Sequence, residues 1–230
     1  MRENQRTNLI RLTWVGILAS GTILTSGCQV PNGTLRQRAL EAMQTGRIEP
    51  ARSYLLKATD RDPGDGRAQF YLGKLYLRVN QPLEAQLALE QALIQLPDAS
   101  QTPQILDLLA EALYRQDEPA KLFTMLERAS EQYDTTHDYS RQGDYLAKIG
   151  DTDNAMLSYR KATELAALSD VDPYLKMADF LETLGDRRNT VKVLRQAYAL
   201  VPDHPGLADR LRSHGVVPGP TVALPKGEEP

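Results

Sequence analysis

The sequence contains few cysteine, histidine and aromatic residues. Its 230 residues include one cysteine, Cys28, and one tryptophan, and aromatic side chains make up 6% of the chain. A single cysteine excludes an internal disulfide framework and every metal site built from several cysteines. The three histidines, His137, His204 and His214, do not stand at metal-ligand spacing from one another or from the cysteine, so we predict no metal site.

A surplus of positive charge is also absent. Lys and Arg number 27 against 30 Asp and Glu, which gives a formal net charge of -3 at pH 7. A nucleic-acid-binding domain usually carries a basic surplus, so DNA and RNA are excluded as expected partners. The sequence shows no Gly-rich phosphate loop, because the stretch from Asp62 to Gly66 is typical of a turn. It shows no catalytic constellation either, because Asp179 and Glu182, three residues apart, are typical of a solvated helix face. We therefore expect no enzymatic activity and no cofactor.

A short apolar segment near the N-terminus has the features of an export signal. Residues 1–11 carry three arginines, residues 12–24 are mostly apolar, and small residues precede Cys28. The thirteen residues of this apolar run are too few to span a bilayer comfortably. The sequence LTSGC resembles a bacterial lipobox, with Thr25 where that motif usually has Leu, Val or Ile. The resemblance implies a signal peptide over residues 1–27, cleavage before Cys28 and a short tether over 28–33.

The same resemblance implies where the mature protein resides. Acyl chains such as palmitate on Cys28 would anchor it, since more than one chain gives stable membrane attachment. Gln29 follows the cysteine in place of the Asp that favours retention in the inner membrane, which implies a lipid anchor in the outer membrane, facing the periplasm. Two alternatives stay open: a soluble secreted protein cut nearby, and an uncleaved signal anchor.

Residues 66–97 contain the clearest helical pattern of the chain. Asn80 tolerates a left-handed turn and Pro82 presets the backbone of a following helix, so the chain is predicted to reverse between two amphipathic helices. The pattern resembles the tetratricopeptide repeat (TPR) and its 34-residue period. The residues that carry the resemblance are Leu72, Gly73, Tyr76, Ala85, Leu89, Ala92 and Pro97.

The markers of this repeat recur along the chain in constant phase. Small residues at two places let the helices of a pair approach closely. In the first helices they are Ala39, Gly73, Ala110, Gly143 and Ala178, and in the second helices Ala58, Ala92, Ala129, Ala162 and Ala197. The resemblance thus implies an all-α, TPR-like solenoid of about five antiparallel helix pairs over residues 34–214, closed by a capping helix at about 205–214.

Some positions depart from the pattern. About three residues are inserted around 98–101, and Leu122 and Thr190 replace the small residue that Ala51, Ala85 and Ala155 supply. The third and fourth repeats also lack the closing proline, so we expect irregular geometry at their ends. Residues 215–230 contain four prolines and no apolar period, and we predict a disordered tail with some polyproline character.

The resemblance implies a ligand groove lined by the first helix of each repeat. The candidate groove residues are Arg36, Arg67, Phe70, Lys74, Arg78, Glu111 and Tyr114. We expect a basic groove near the N-terminus and an acidic one further along, where Gln104, Asp107, Arg115, Asp172, Asp179 and Glu182 lie. The acidic end of a bound segment would then lie near Arg67 and Lys74. The alternatives are solvated charges, or contact of the basic end with anionic headgroups.

We therefore expect a non-enzymatic scaffold that binds envelope proteins or peptide segments. By size and plan the chain resembles envelope TPR lipoproteins that assist pilus secretin assembly, outer-membrane protein insertion or peptidoglycan-enzyme recruitment. The alternative is a secreted or periplasmic regulatory or carrier subunit for a small ligand, which predicts an enclosed apolar pocket. The sequence does not name the partner.

Overall fold

The computed structural model describes residues 30–96 and 100–225, and this part of the chain is α-helical without a β-strand. Cys28, the signal segment and residues 226–230 lie outside the described residues. None of the described helices is long and apolar enough to cross a membrane. The helices are α1 (Asn32–Gln44), α2 (Ile48–Arg61), α3 (Gly66–Arg78), α4 (Pro82–Gln95), α5 (Thr102–Arg115), α6 (Pro119–Tyr133), α7 (Thr136–Lys148), α8 (Thr152–Leu165), α9 (Asp172–Thr183), α10 (Arg187–Leu200) and α11 (Leu207–Ser213).

The helices form five pairs followed by a cap. Each odd-numbered helix from α1 to α9 packs against the helix that follows it, and the second helix of each pair packs against the first helix of the next. The final helix, α11, packs against α10 and buries Leu207 and Leu211. This arrangement confirms the predicted all-α solenoid of five helix pairs with a C-terminal capping helix.

A left-handed residue ends the first helix of every pair. In each case the amide of the residue that follows it donates to the carbonyl five residues earlier in the chain, at 2.8–3.3 Å, as in Arg47 to Ala42 and Gln81 to Tyr76. This type of helix ending requires a residue with positive φ, a conformation that Gly adopts freely and that Asn or Asp tolerate. The five residues are Gly46, Asn80, Asp117, Gly150 and Gly185.

The small residues lie where the two helices of a pair cross. A Cβ atom on Gly73 would stand 2.4 Å from Leu89 Cγ, and one on Gly143 would stand 2.8 Å from the Tyr159 ring. Both distances are too short for real atoms, so only glycine allows this approach. Ala39, Ala110 and Ala178 occupy the same place in the other pairs and are fully buried.

The third pair is more open than the others. Leu122 is fully buried at the position where the other pairs carry a smaller residue, and α5 packs less closely on α6 than the helices of the other pairs do on each other. The longer side chain holds the two helices apart. A cleft of about 650 Å³ results, lined by α4, α5 and α6. At Thr190 the fifth pair stays closely packed, and the buried hydroxyl donates to Asp186 O at 2.8 Å.

Residues 215–225 correct the prediction of a disordered tail. Leu224 is 5% exposed, and Val216 and Val222 pack against the apolar cluster of the last helices. Arg195 Nε donates to Val222 O at 2.7 Å, and the Leu224 amide donates to Arg195 O. An extended segment can bury scattered apolar residues between prolines without any helical period, which is why periodicity did not indicate this packing.

Candidate functional site: the groove

The first helices of successive pairs lie side by side. Contacts join α1 to α3, α3 to α5, α5 to α7 and α7 to α9. We call the face that these helices form the groove, because the sequence-predicted binding residues lie on it. Charged side chains bridge most of its helix junctions.

At the junction between α1 and α3, Arg36 stabilises the fold. Its guanidinium pairs with Asp65, whose side chain is 4% exposed, and Asp65 Oδ1 also accepts the amide of Ala68 at 3.0 Å. Asp65 therefore caps α3 and holds Arg36 at the same time. The positive charge of Arg36 is already matched by a buried carboxylate, so this candidate contributes little free charge to the groove.

The next helix, α3, presents cations without carboxylate partners. Arg67 is exposed and Lys74 half-buried, and neither forms an ion pair with any residue that the structure describes. Lys74 Nζ lies 5.4 Å from the centre of the Phe70 ring. Arg78 Nη1 donates to Met43 O at 2.7 Å, a carbonyl at the end of α1. Of the basic candidates, Arg67, Lys74 and Arg78 thus keep a charge that no described carboxylate matches, and of the three Arg78 is held in place by a carbonyl.

Phe70 does not face a ligand. Its ring is 4% exposed and belongs to the apolar cluster that α3, α4, α5, α6 and α7 share. The prediction that Phe70 supplies apolar contact to a partner is therefore corrected. It packs in the core, with its ring tilted against that of Tyr71 and with the Lys74 ammonium over it.

Glu111, on α5, is held by three neighbours. The Tyr145 hydroxyl donates to its Oε2 at 3.0 Å, Arg115 Nε donates to its Oε1 at 2.6 Å, and Lys148 Nζ stands 4.0 Å away. Burial alone would raise the pKa of Glu111. The hydrogen bonds from Arg115 and Tyr145 and the charges of Arg115 and Lys148 outweigh it and lower the pKa below the ordinary 4.5.

Tyr114 is the candidate that the structure leaves accessible. It is 39% exposed, and its ring centre lies 5.9 Å from that of Tyr145. Lys148 Nζ stands 5.4 Å from the Tyr114 ring centre and 4.1 Å from that of Tyr145. Burial and the neighbouring Glu111 carboxylate raise the pKa of Tyr145. The two rings and the ammonium form an aromatic patch at the end of α5.

A buried arginine joins α5 to α7. Arg141 is 3% exposed, pairs with the equally buried Asp138, and donates from Nη1 to Asp107 Oδ1 at 2.9 Å. His137 Nε2 lies 2.9 Å from the same Asp107 oxygen. Burial would raise the pKa of Asp107, but the hydrogen bonds and charges of His137 and Arg141 lower it. This cluster fixes the junction between the third and fourth pairs.

Most of the remaining groove carboxylates are matched in the same way. Asp144 pairs with Lys176 of α9 and accepts the Tyr159 hydroxyl at 2.8 Å. Glu182 accepts from Arg210 at 2.9 Å and lies 3.0 Å from His214 Nε2, and Arg210 also reaches Asp179 at 2.8 Å. The expectation of an acidic far groove is corrected in part, because Asp107, Glu111, Asp144, Asp179 and Glu182 contact neighbouring cations, although Asp179 and Glu182 share Arg210. Asp172, which the expectation also included, forms no ion pair with a residue that the structure describes.

The charge pattern reverses at α3. The position that holds Glu111 in α5, Asp144 in α7 and Asp179 in α9 holds Lys74 in α3. Among the described side chains, the polar link between α3 and α5 is Arg115 Nη1 donating to Leu77 O at 2.9 Å. No ion pair of described residues joins α3 to α5, so the series of bridged junctions is interrupted there.

Sequence reasoning missed the contribution of the fourth pair. The groove spacing used for the other repeats would have indicated Asp144 and Lys148. Arg141 and Tyr145 lie one residue beyond groove positions, so spacing alone gives no signal for them. Within the described residues, no group of three His, Cys, Asp or Glu side chains is placed to hold a metal ion.

Helix pairs stacked in this way, with left-handed helix ends and small residues at the crossings, define a solenoid of the TPR type. The family model of the tetratricopeptide repeat matches residues 37–65 and 139–167, so the chain contains TPR repeats. No curated protein matches the sequence.

Solved TPR structures share the fold at low sequence identity. YrrB, described as a TPR protein with an unusual peptide-binding site, is 22% identical over 78% of this chain and 90% of its own, with a TM-score of 0.51. MamA from Desulfovibrio magneticus RS-1 is 12% identical over 76% and 97%, with a TM-score of 0.57. PilW, described as a type IV pilus biogenesis factor, is 18% identical over 80% and 85%, with a TM-score of 0.55.

The fold suggests a general class of function. TPR proteins are generally non-catalytic scaffolds that bind protein or peptide partners, and no enzymatic family is indicated by the matches.

Proposed function

We propose that this protein is a non-enzymatic scaffold that binds a carboxylate-rich segment of a partner protein in the groove at the α3–α5 junction. The observation that carries the proposal is the unmatched charge of Arg67 and Lys74 beside a series of fully bridged junctions. A partner carboxylate would supply the counter-charge that the chain itself supplies at the other junctions. Charge-assisted hydrogen bonds of this kind contribute about 1.5–3 kcal/mol each.

The neighbouring surface suits an extended peptide. Tyr114 is exposed next to Arg115, and Arg115 contacts the end of α3 through Leu77 O. The aromatic ring therefore offers apolar contact close to the cationic surface. The bridged carboxylates of α5 and α7 repel an acidic segment less than free carboxylates would, because their charge is already compensated.

We further propose that the mature chain begins at Cys28 and is lipid-anchored in the outer membrane of a bacterial envelope, facing the periplasm. The basic start, the apolar run over residues 12–24, the LTSGC sequence and Gln29 support this. Assembly of an envelope complex is the role we propose for the scaffold, and the shared fold of PilW supports a pilus or secretion complex as the first to examine.

The groove proposal is tested with two synthetic peptides that differ only in Glu versus Gln. We expect the wild type to bind the Glu peptide about tenfold more tightly, and Arg67→Glu with Lys74→Glu to abolish that preference. Lys121→Glu with Arg128→Glu changes the charge equally on exposed positions of α6 and serves as the control. Equal affinity of the wild type for both peptides would refute the proposal.

The anchoring proposal is tested separately by fractionating cells that express the wild type or Cys28→Ser. We expect the wild type in the outer-membrane fraction and the variant in a soluble or inner-membrane fraction. Identical fractionation of the two proteins would exclude a lipid anchor on Cys28.

The cleft between α4, α5 and α6 favours a second candidate, the binding of a small apolar ligand. Leu93, Leu109 and Met125 contribute to its lining, and its volume of about 650 Å³ falls in the range of ligand sites. The cleft is open rather than enclosed, which fits a carrier less well. Thermal shift against peptides and against small apolar compounds distinguishes the two, and Met125→Trp should abolish stabilisation by the compounds alone.

A further inference from the structure

Helix α10 carries positive charge without any acidic residue. Its sequence, RRNTVKVLRQAYAL, contains four cations, Arg187, Arg188, Lys192 and Arg195. The residues it buries are Thr190, Val193, Leu194 and Ala197, so the cations lie on the outer side of the helix. In the groove from α5 onward, by contrast, carboxylates pair with cations of neighbouring helices.

Two of these cations are held by main-chain carbonyls. Arg187 Nη2 donates to His214 O at 2.6 Å, and Arg195 Nε donates to Val222 O at 2.7 Å. A carbonyl orients a guanidinium but does not cancel its charge. Arg188 and Lys192 form no ion pair or hydrogen bond with a residue that the structure describes. Asp186, which caps the start of α10, offsets part of the Arg188 charge, and the four cations form no ion pair with a carboxylate among the described residues.

The same side chains line an open cleft of about 630 Å³ between α10 and the C-terminal segment 214–225. Val191 lies on its helix side, and His214 and Val216 lie on the other side. None of the described residues that line the cleft carries a carboxylate. Glu182, which contacts His214, is itself paired with Arg210. We call this site the α10 cleft.

We propose that the α10 cleft binds a phosphate-bearing anion. Each guanidinium group presents a pair of N–H donors that matches two phosphate oxygens. A phosphate can accept hydrogen bonds from several guanidinium groups at once, whereas a carboxylate, with two oxygens, matches one. The volume exceeds that of a bare phosphate, so an organic substituent can lie against Val191 and Val216. The phosphate group of this ligand belongs either to an anionic lipid headgroup or to a soluble phosphate compound.

The test uses the full chain with Cys28→Ser, so that no acyl chain contributes. Binding is measured to inorganic pyrophosphate by calorimetry, and to vesicles of phosphatidylglycerol or of phosphatidylcholine by sedimentation, at low salt. The test variant is Arg188→Gln with Lys192→Gln, because neither side chain holds the fold together. The control is Lys121→Gln with Arg128→Gln, which removes the same charge from exposed positions of α6.

We expect the test variant to lose about tenfold in affinity and the control to bind like the wild type. A loss confined to phosphatidylglycerol vesicles assigns the headgroup as the source, and a loss for pyrophosphate assigns a soluble phosphate. The proposal is overturned if the wild type binds neither anion, if the control loses as much as the test variant, or if the test variant loses as much affinity for a poly-glutamate peptide as for pyrophosphate.

Discussion

The second and fourth helix pairs, α3/α4 and α7/α8, pack alike and use their groove charges differently. Both place glycine at the crossing, Gly73 against Leu89 and Gly143 against Tyr159. On the groove face, Asp144 of α7 is bridged to the next pair, whereas Lys74 of α3 has no carboxylate partner in the part of the chain that the structure describes. The repeat thus keeps its packing positions constant, while its groove positions either close a junction or remain available to a ligand.

The largest effect is expected from breaking the buried ion pair of the fourth pair. Arg141→Leu leaves Asp138 buried without its partner, and we expect the free energy of unfolding to fall by about 3–5 kcal/mol. Arg67→Leu, on the α3 surface, should change it by less than about 0.5 kcal/mol. Urea denaturation followed by circular dichroism measures both. Similar losses for the two variants would remove the distinction between the pairs.

The packing that the two pairs share is tested through their glycines. Gly73→Ala drives a Cβ into Leu89, and we expect a loss of about 1–3 kcal/mol in the free energy of unfolding. Gly143→Ala should cost less, because its added Cβ would stand 2.8 Å from Tyr159 Cε1, whereas the Cβ on Gly73 would stand 2.4 Å from Leu89 Cγ. In a Leu89→Ala background the clash disappears, so Gly73→Ala should then be neutral or stabilising, as thermal unfolding would show. An equal loss in both backgrounds would contradict this explanation.

Acid should weaken the bridged part of the groove. The pKa values of Asp107, Glu111 and Glu182 are lowered in the fold, so their contribution to stability is present above the ordinary pKa of a carboxylate and is lost as pH falls through the lowered values. We expect the urea midpoint to fall between about pH 5 and pH 3. Glu111→Gln should reduce this dependence. An unchanged pH dependence in that variant would show that Glu111 does not contribute.

The smallest effect concerns the aromatic patch. Lys148→Ala removes an ammonium that contacts two tyrosine rings, and we expect a loss of about 0.5–1 kcal/mol in the free energy of unfolding. Lys161→Ala, where the ammonium stands 6.0 Å from one ring, is the matched control and should cost less. Thermal unfolding of both variants compares them directly. A larger loss for Lys161→Ala would contradict the assignment.

Much of the fold could be predicted from the sequence because its signals are local. The turn at Asn80 and the small residues at Gly73 and Ala92 act within one helix pair, so spacing along the chain places them correctly. The candidate site was predicted less well. Groove spacing placed Phe70 toward a ligand, while the structure packs it in the core that five helices share.

By itself, the sequence determined the helix pairs, their turns and the close crossings, since each depends on residues fewer than 34 positions apart. Only the tertiary structure decided which groove charges remain unmatched, because an ion pair such as Glu111 with Lys148 depends on how one first helix lies beside the next. It also decided that Leu224 packs on the solenoid, and that a cationic cleft forms beside α10. Those contacts join side chains through three-dimensional distance, which a period along the chain does not encode.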